Sequence, residues 1–221
     1  MSATPRTGSP TELVLIRHGV TAWNRERRFQ GLIDIPLDDE GRSQAVRTGR
    51  RLAGMRAGAL YSSDLARARQ TAEPIAAACG LVLRVDARLR ERHYGGFEGC
   101  THDDIQRDRP DAWRRWRARE PDFELPGGGE TLRGFHARVR AAMLEIAGRH
   151  PGQTVIAVTH GGVLDCAYRI ATGMPLEAPR THDLLNASLN RIAWDGRAFE
   201  LVAWGDVAHL DDALDDVEAR R

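Results

Sequence analysis

Two histidines in this chain each follow a short apolar run and precede a glycine. His18 stands in Arg17-His18-Gly19, directly after Leu13-Val14-Leu15-Ile16, and His160 stands in His160-Gly161-Gly162, just after Thr154 to Val158. If those runs are buried strands, both histidines emerge at strand carboxyl ends, the edge of an open α/β sheet where ligands collect. The small residue that follows each lets a ligand approach the backbone. One histidine so placed is more often structural than functional; two in parallel settings, with arginines at hand, point to a shared site. A neutral imidazole, with an unperturbed pKa of about 6.5, is a competent phosphoryl acceptor near neutral pH. A phosphoryl group in transfer spreads negative charge over its oxygens, so its catalysis is mostly positioning and electrostatic stabilisation. Arg17 adjoins His18, and Arg67 arrives near the start of a later helical segment. A cation about 4 Å from a phosphate oxygen contributes roughly 4 kcal/mol at an effective dielectric near 20, before desolvation.

Composition narrows the alternatives. The sequence contains no lysine, so all 32 basic residues are arginine. That excludes a lysine Schiff base and a lysine-dependent phosphate loop. Arginine stays charged at working pH and grips phosphate oxygens with a planar fork. The eight histidines show no HExxH or His/Cys ligand spacing, so the pattern offers no metal site. A net charge of +1 argues against a nucleic-acid backbone as partner. Cys79, Cys100 and Cys166 are isolated and odd in number, which suits a reducing cytoplasm. The first dozen residues hold no apolar signal core, and no stretch approaches the roughly 20 apolar residues that span a bilayer, so no membrane partner is expected.

These residues need elements to hold them. Leu13 to Ile16, Ala59 to Tyr61, Leu81 to Val85 and Thr154 to Val158 read as strands. Helical spacing runs over Gly41 to Met55, over Leu65 to Cys79 with Ser63 or Asp64 as cap and Gly80 as stop, over Thr131 to Arg149 and over Gly161 to Thr172. Leu189 to Trp194 and Phe199 to Trp204 form a hairpin pattern around Asp195-Gly196. The alternation predicts an α/β fold: a three-layer sandwich with a largely parallel central sheet and helices on both faces. Residues 1–11 read as a flexible tail, 12–209 as a single catalytic domain and 210–221 as an acidic tail. Residues 96–129 read as a lid-like helical excursion over the active site, returning through Pro126-Gly127-Gly128-Gly129. Arg114, Arg115, Arg117 and Arg119 in that excursion have two readings: an anion-steering lid, with Arg114 and Arg115 as its contacts, or a solvated helix face with Trp113 and Trp116 packed inward.

An ordered set of motifs adds a resemblance. The run Leu15 to Asn24 (LIRHGVTAWN) is similar to the opening signature of the histidine phosphatase superfamily, in its phosphoglycerate mutase-like branch. The likeness continues through Arg28-Phe29-Gln30-Gly31, Asp34 to Leu37, Glu40-Gly41-Arg42 and Tyr61 to Ala68. It resumes at Glu91-Arg92-His93-Tyr94-Gly95 and at Thr159 to Gly162, spanning about residues 13 to 205. The resemblance implies that His18 becomes the phosphohistidine, with Arg17, Arg67 and His160 around the phosphate and Asn24 adding a hydrogen bond. It implies Glu91 as proton donor to the leaving oxygen and then base toward the incoming nucleophile. A carboxyl beside a phosphate anion is pushed toward its protonated form, which suits that role. Read without the resemblance, Glu91 is a solvated partner of Arg90 or Arg92. Gln30, Gly31, Arg92, Tyr94 and Gly161 are implied substrate-side contacts, and no cofactor or metal is implied.

Two activities share such machinery. A phosphatase passes the phosphoryl group to water, whereas a mutase returns it to another hydroxyl of the substrate. Glu91 to Gly96 and Trp113-Arg114-Arg115 resemble the mutase form. Pro126 to Thr131, the short excursion and Gly162, where mutases tend to carry asparagine, resemble the phosphatase form. The expectation is a metal-independent phosphatase acting on a small phosphorylated substrate, with phosphoglycerate mutase as the alternative. A binding module without catalysis is the third reading, and the presence of His18, Arg67, Glu91 and His160 speaks against it.

Overall fold

The structure, a computed structural model, describes residues 9–210; the rest of the expected tails lies outside them. The first strand, β1 (Thr11–Arg17), starts inside the stretch expected to be tail. Thr11 is buried there, and its hydroxyl donates to the His150 carbonyl at 3.0 Å. The run Leu13-Val14-Leu15-Ile16 is buried on both faces of the sheet, which is why it lacks polar alternation.

The remaining strands are β2 (Ala57–Ser62), β3 (Leu83–Val85), β4 (Thr154–Thr159), β5 (Leu189–Trp194) and β6 (Phe199–Asp206). They form one sheet in the order β3-β2-β4-β1-β5-β6. The pairs β2–β3, β2–β4 and β1–β4 are parallel, and the terminal hairpin β5–β6 adds to β1 antiparallel. Leu13 and Leu15 pack with Phe135, Val139, Met143, Val163 and Leu164 of α6 (Leu132–Arg149) and α7 (Gly161–Thr172). Val14 and Ile16, pointing the other way, pack with Leu52, Ala68, Ala72 and Ile75 of α2 (Asp39–Leu52) and α3 (Ala66–Cys79). Period-two alternation within one apolar run thus builds both cores of a three-layer sandwich.

The expected cap of α3 is corrected. Its N-terminal position is Leu65, which supplies no side-chain cap. The carboxylate of Asp34 accepts from the Ala66 amide at 2.7 Å instead, and Asp64 is drawn away to Arg90. The stop at Gly80 stands, with φ +65.

The excursion contains α4 (His102–Asp108) and α5 (Pro110–Arg117). A separate cluster of Phe29, Tyr94, Phe97, Ile105, Trp116, Phe123 and Leu125 fastens it over the sheet edge. Phe29 meets Trp116 edge-on at 5.2 Å between centroids, so the excursion rests on a residue adjacent to Gln30. Among the described residues no helix is long and apolar enough to cross a membrane.

Candidate active site

The parallel register between β1 and β4 opposes Arg17 to Thr159, so the residues that leave the two strands, His18 and His160, stand side by side. Their ring centroids are 5.2 Å apart. The sheet pattern continues one residue further, with the His18 amide donating to the Thr159 carbonyl at 2.9 Å. From the opposite side Asn186 donates to the His18 carbonyl at 2.9 Å. Gly19 lies so close to Gly41 that a Cβ would come within 2.6 Å of the Gly41 carbonyl oxygen.

Nδ1 of His18 lies 2.7 Å from the Gly19 carbonyl. A carbonyl can only accept, so Nδ1 carries the proton and Nε2 keeps its lone pair. Burial, followed by the charges of Arg67 and Arg17, holds His18 well below its ordinary pKa. His160 is held down in the same way, by burial and then by Arg67, His18 and Arg17. Both rings are therefore neutral at physiological pH, and the Nε2 lone pair of His18 is chemically able to attack an electrophile.

Arg67 is fully buried in the first turn of α3, and burial lowers its pKa to about 10, which leaves it charged at neutral pH. It donates to the carbonyls of Ile33 at 3.0 Å and Gly31 at 2.8 Å, which ties the Gln30-Gly31 loop to the site. Arg17, also buried, donates to the Leu184 carbonyl. Nε of Arg67, Oε1 of Gln30 and both ring nitrogens of His160 are buried without a hydrogen-bond partner. Such atoms carry a desolvation cost of about 1–3 kcal/mol each, which an oxyanion would relieve at the donors among them. Asn24 commits its side-chain oxygen to the Thr21 amide at 3.0 Å in a helix-capping pair, leaving the Nδ2 amide as the end that can donate outward.

Glu91 is buried rather than solvated. It is 7% exposed, Arg90 pairs with Asp64, and the Arg92 guanidinium turns to the Glu130 carbonyl. The Glu91 carboxylate accepts from the backbone amides of Arg92 at 2.7 Å and Gly162 at 3.1 Å. A Cβ on residue 162 would stand 2.3 Å from Glu91 Oε1, so the glycine there has a steric reason.

Arg17, His18, Asn24, Gln30, Gly31, Arg67, Glu91 and Tyr94 meet around a recess of about 20 Å³. Two expected contacts are not among the residues lining it: His160 is wholly buried beside His18, and Gly161 opens α7. A larger cavity of about 160 Å³ adjoins the recess and shares Tyr94 with it. Arg92 lines this cavity, with Trp116, Phe123 and Phe135 as apolar walls.

Of the four excursion arginines named from the sequence, Arg114 and Arg115 line neither space. Arg114 pairs with Asp111 in solvent, whereas Arg115 pairs with Glu120, a residue of the cavity lining, and its guanidinium lies 4.2 Å from the centroid of the Phe123 ring. Arg117 and Arg119, named with them, do line the cavity, together with Arg180. Arg119 adopts φ +53 just past α5 and donates to buried Asp165 at 2.6 Å and to the Leu176 carbonyl at 2.7 Å. Burial opposes ionisation of Asp165, but hydrogen bonding to His182 and the charges of Arg119 and Arg169 outweigh it and hold its pKa below the usual carboxylate range. Arg28, Asp165 and Arg180 were not picked out by the sequence. Only Arg28 had a signal, its place in the Arg28-Phe29-Gln30-Gly31 motif.

With this geometry the comparison with known proteins is specific. The histidine phosphatase superfamily (branch 1) matches residues 13–207, and the chain belongs to that superfamily. Phosphoglycerate mutase-like protein 4 of Arabidopsis thaliana is 40% identical over 204 residues, covering 91% of this chain and 87% of its own. A metal-independent phosphoserine phosphatase of the same plant is 39% identical, covering 90% and 83%. Among solved structures, YhfR of Bacillus stearothermophilus superposes with a TM-score of 0.81 at 39% identity, over 90% of this chain and 98% of that one.

Proposed function

We propose that the protein is a phosphatase that hydrolyses a small phosphomonoester through a phosphohistidine on His18. The observation that carries this reading is the His18–Gly19 hydrogen bond, which leaves Nε2 unprotonated beside Arg17 and Arg67. Nε2 attacks phosphorus and forms the N–P bond as the ester P–O bond breaks. Glu91 gives its proton to the departing alkoxide, and the alcohol leaves by way of the cavity lined by Tyr94, Trp116 and Phe123. Water then attacks phosphorus, Glu91 takes its proton, and phosphate departs with His18 neutral again. Arg17, Arg67, His160 and Asn24 stabilise the charge on the phosphoryl oxygens throughout.

Hydrolysis is favoured over mutase action by two features. Arg114 and Arg115, the pair that would hold a second acidic group, line neither the recess nor the cavity and are already paired with Asp111 and Glu120. Residue 162 has room only for hydrogen beside Glu91. The mutase-like relative keeps the alternative in the test. Incubation with a labelled phosphomonoester should give an acid-labile, base-stable phosphoenzyme that is lost in His18→Ala. Equal labelling of that variant would refute the reading. Phosphate release across a panel of phosphorylated metabolites, run beside 3- to 2-phosphoglycerate conversion, separates the activities; conversion without release would establish the mutase.

A further inference from the structure

Glu91 sits in a stretch without regular backbone pairing. It lies between the 3-10 turns Ala87–Leu89 and Gly95–Phe97, in neither helix nor strand. The peptide groups of such a segment still need partners. Two residues from outside the segment supply several of them. Arg138 of α6 donates from Nη1 to the carbonyls of Arg88 at 2.7 Å and Arg90 at 3.0 Å, and from Nη2 to that of Glu91 at 3.2 Å. Glu130 accepts from the His93 amide at 2.9 Å through Oε2. Its own amide donates to the His93 carbonyl at 2.8 Å, and its carbonyl receives Arg92 Nη2 at 2.7 Å. The two side chains are joined by a pair of hydrogen bonds, Nε to Oε1 at 2.9 Å and Nη2 to Oε2 at 2.8 Å.

We propose that Arg138 and Glu130 are positioning residues for the proposed proton donor, a brace that fixes the backbone on both sides of Glu91. The inference rests on the phosphatase reading above. Neither residue lines the recess or the cavity, so neither touches the substrate. The pair is 23% and 28% exposed, and a partly solvated ion pair adds little to stability. What it supplies is geometry. A guanidinium presents five donors in one plane and here meets three carbonyls and a carboxylate at once, which an ammonium group cannot reproduce. Because the Glu91 carboxylate is steered by its backbone, a slip of that backbone moves the proton donor away from the leaving oxygen.

The test compares an alkyl phosphomonoester, whose alkoxide needs a proton to leave, with nitrophenyl phosphate, whose phenolate does not. In Arg138→Met the alkyl kcat should fall about 10²-fold with KM within about threefold, as for a misplaced catalytic group. The burst of nitrophenolate release should stay within about fivefold of wild type, since that step draws little on general acid catalysis. Arg138→Lys should recover part of the alkyl rate. Glu91→Gln combined with Arg138→Met should cost no more than Glu91→Gln alone, because groups that act as one unit do not add. Equal loss on both esters, or a double variant whose losses multiply, would overturn the brace. If Arg138→Met fails to fold, Glu130→Gln gives the same comparison, and a uniform loss or none there would also overturn it. A wild-type protein that releases phosphate from neither ester would instead sink the phosphatase reading beneath it.

Discussion

Gly162→Ala is a sharp test of how Glu91 is held. The added methyl group would start 2.3 Å from Glu91 Oε1 and 3.1 Å from a ring carbon of Phe135. Phe135 belongs to the packed core and has little room to yield. The carboxylate is the mobile partner, and restoring an ordinary contact of 3.4 Å requires it to retreat by about 1 Å. A misplacement of that size costs on the order of 10²-fold in rate. The loss should fall on kcat for alkyl phosphomonoesters, with labelling of His18 by nitrophenyl phosphate preserved. Residue 162 lies in the first turn of α7, where alanine is the better helix former by up to about 1 kcal/mol. The variant should therefore unfold at the same temperature as the wild type or higher. Turnover of an alkyl ester within about threefold of wild type would refute the claim that this glycine seats a catalytic carboxyl.

Two further outcomes follow from the site's electrostatics. His18 is held neutral by burial, Arg67 and Arg17, so a falling pH should protonate it only well below the ordinary imidazole value of about 6.5. The acid limb of kcat/KM, corrected for the substrate's own phosphate titration, should lie below that value; a limb centred at 6.5 or above would contradict the assigned environment. Asp165→Ala would leave Arg119 and Arg169 without their shared carboxylate, and removal of one member of a buried pair destabilises by about 3–5 kcal/mol. Urea unfolding should register that loss, and an unchanged midpoint would show that the network contributes nothing to stability.

The residues of the proposed reaction centre could be singled out because they are marked locally in the sequence. Arg17, His18, His160 and Gly162 sit at strand ends that apolar runs announce, and the β1–β4 register brings them together. The excursion was less legible for a definite reason. In α5, Arg114, Arg115 and Arg117 surround two tryptophans, so the helix phase decides which cations face inward. Two turns of helix are too short for periodicity to fix that phase. Trp116 turned inward, which left Arg114 and Arg115 outside the cavity lining; Arg119 reached the cavity only because the chain reverses at its positive φ. The α3 cap escaped because its partner, Asp34, lies 32 residues away. Arg180 stands in an irregular stretch with no pattern to mark it.

The seating of His18 also bears on how the protein is made. Its amide is held by Thr159 and its carbonyl by Asn186, which follows it by 168 residues. A chain emerging from the ribosome therefore displays Arg17-His18-Gly19 long before the partners that seat the imidazole exist. Contacts of such sequence separation form late and slowly, because loop closure must precede any gain from them. The nucleophile is thus assembled only when the parallel ladder closes. Recovery of phosphohistidine formation during refolding would serve as a clock for that closure, and no fragment ending before β4 can carry the reaction.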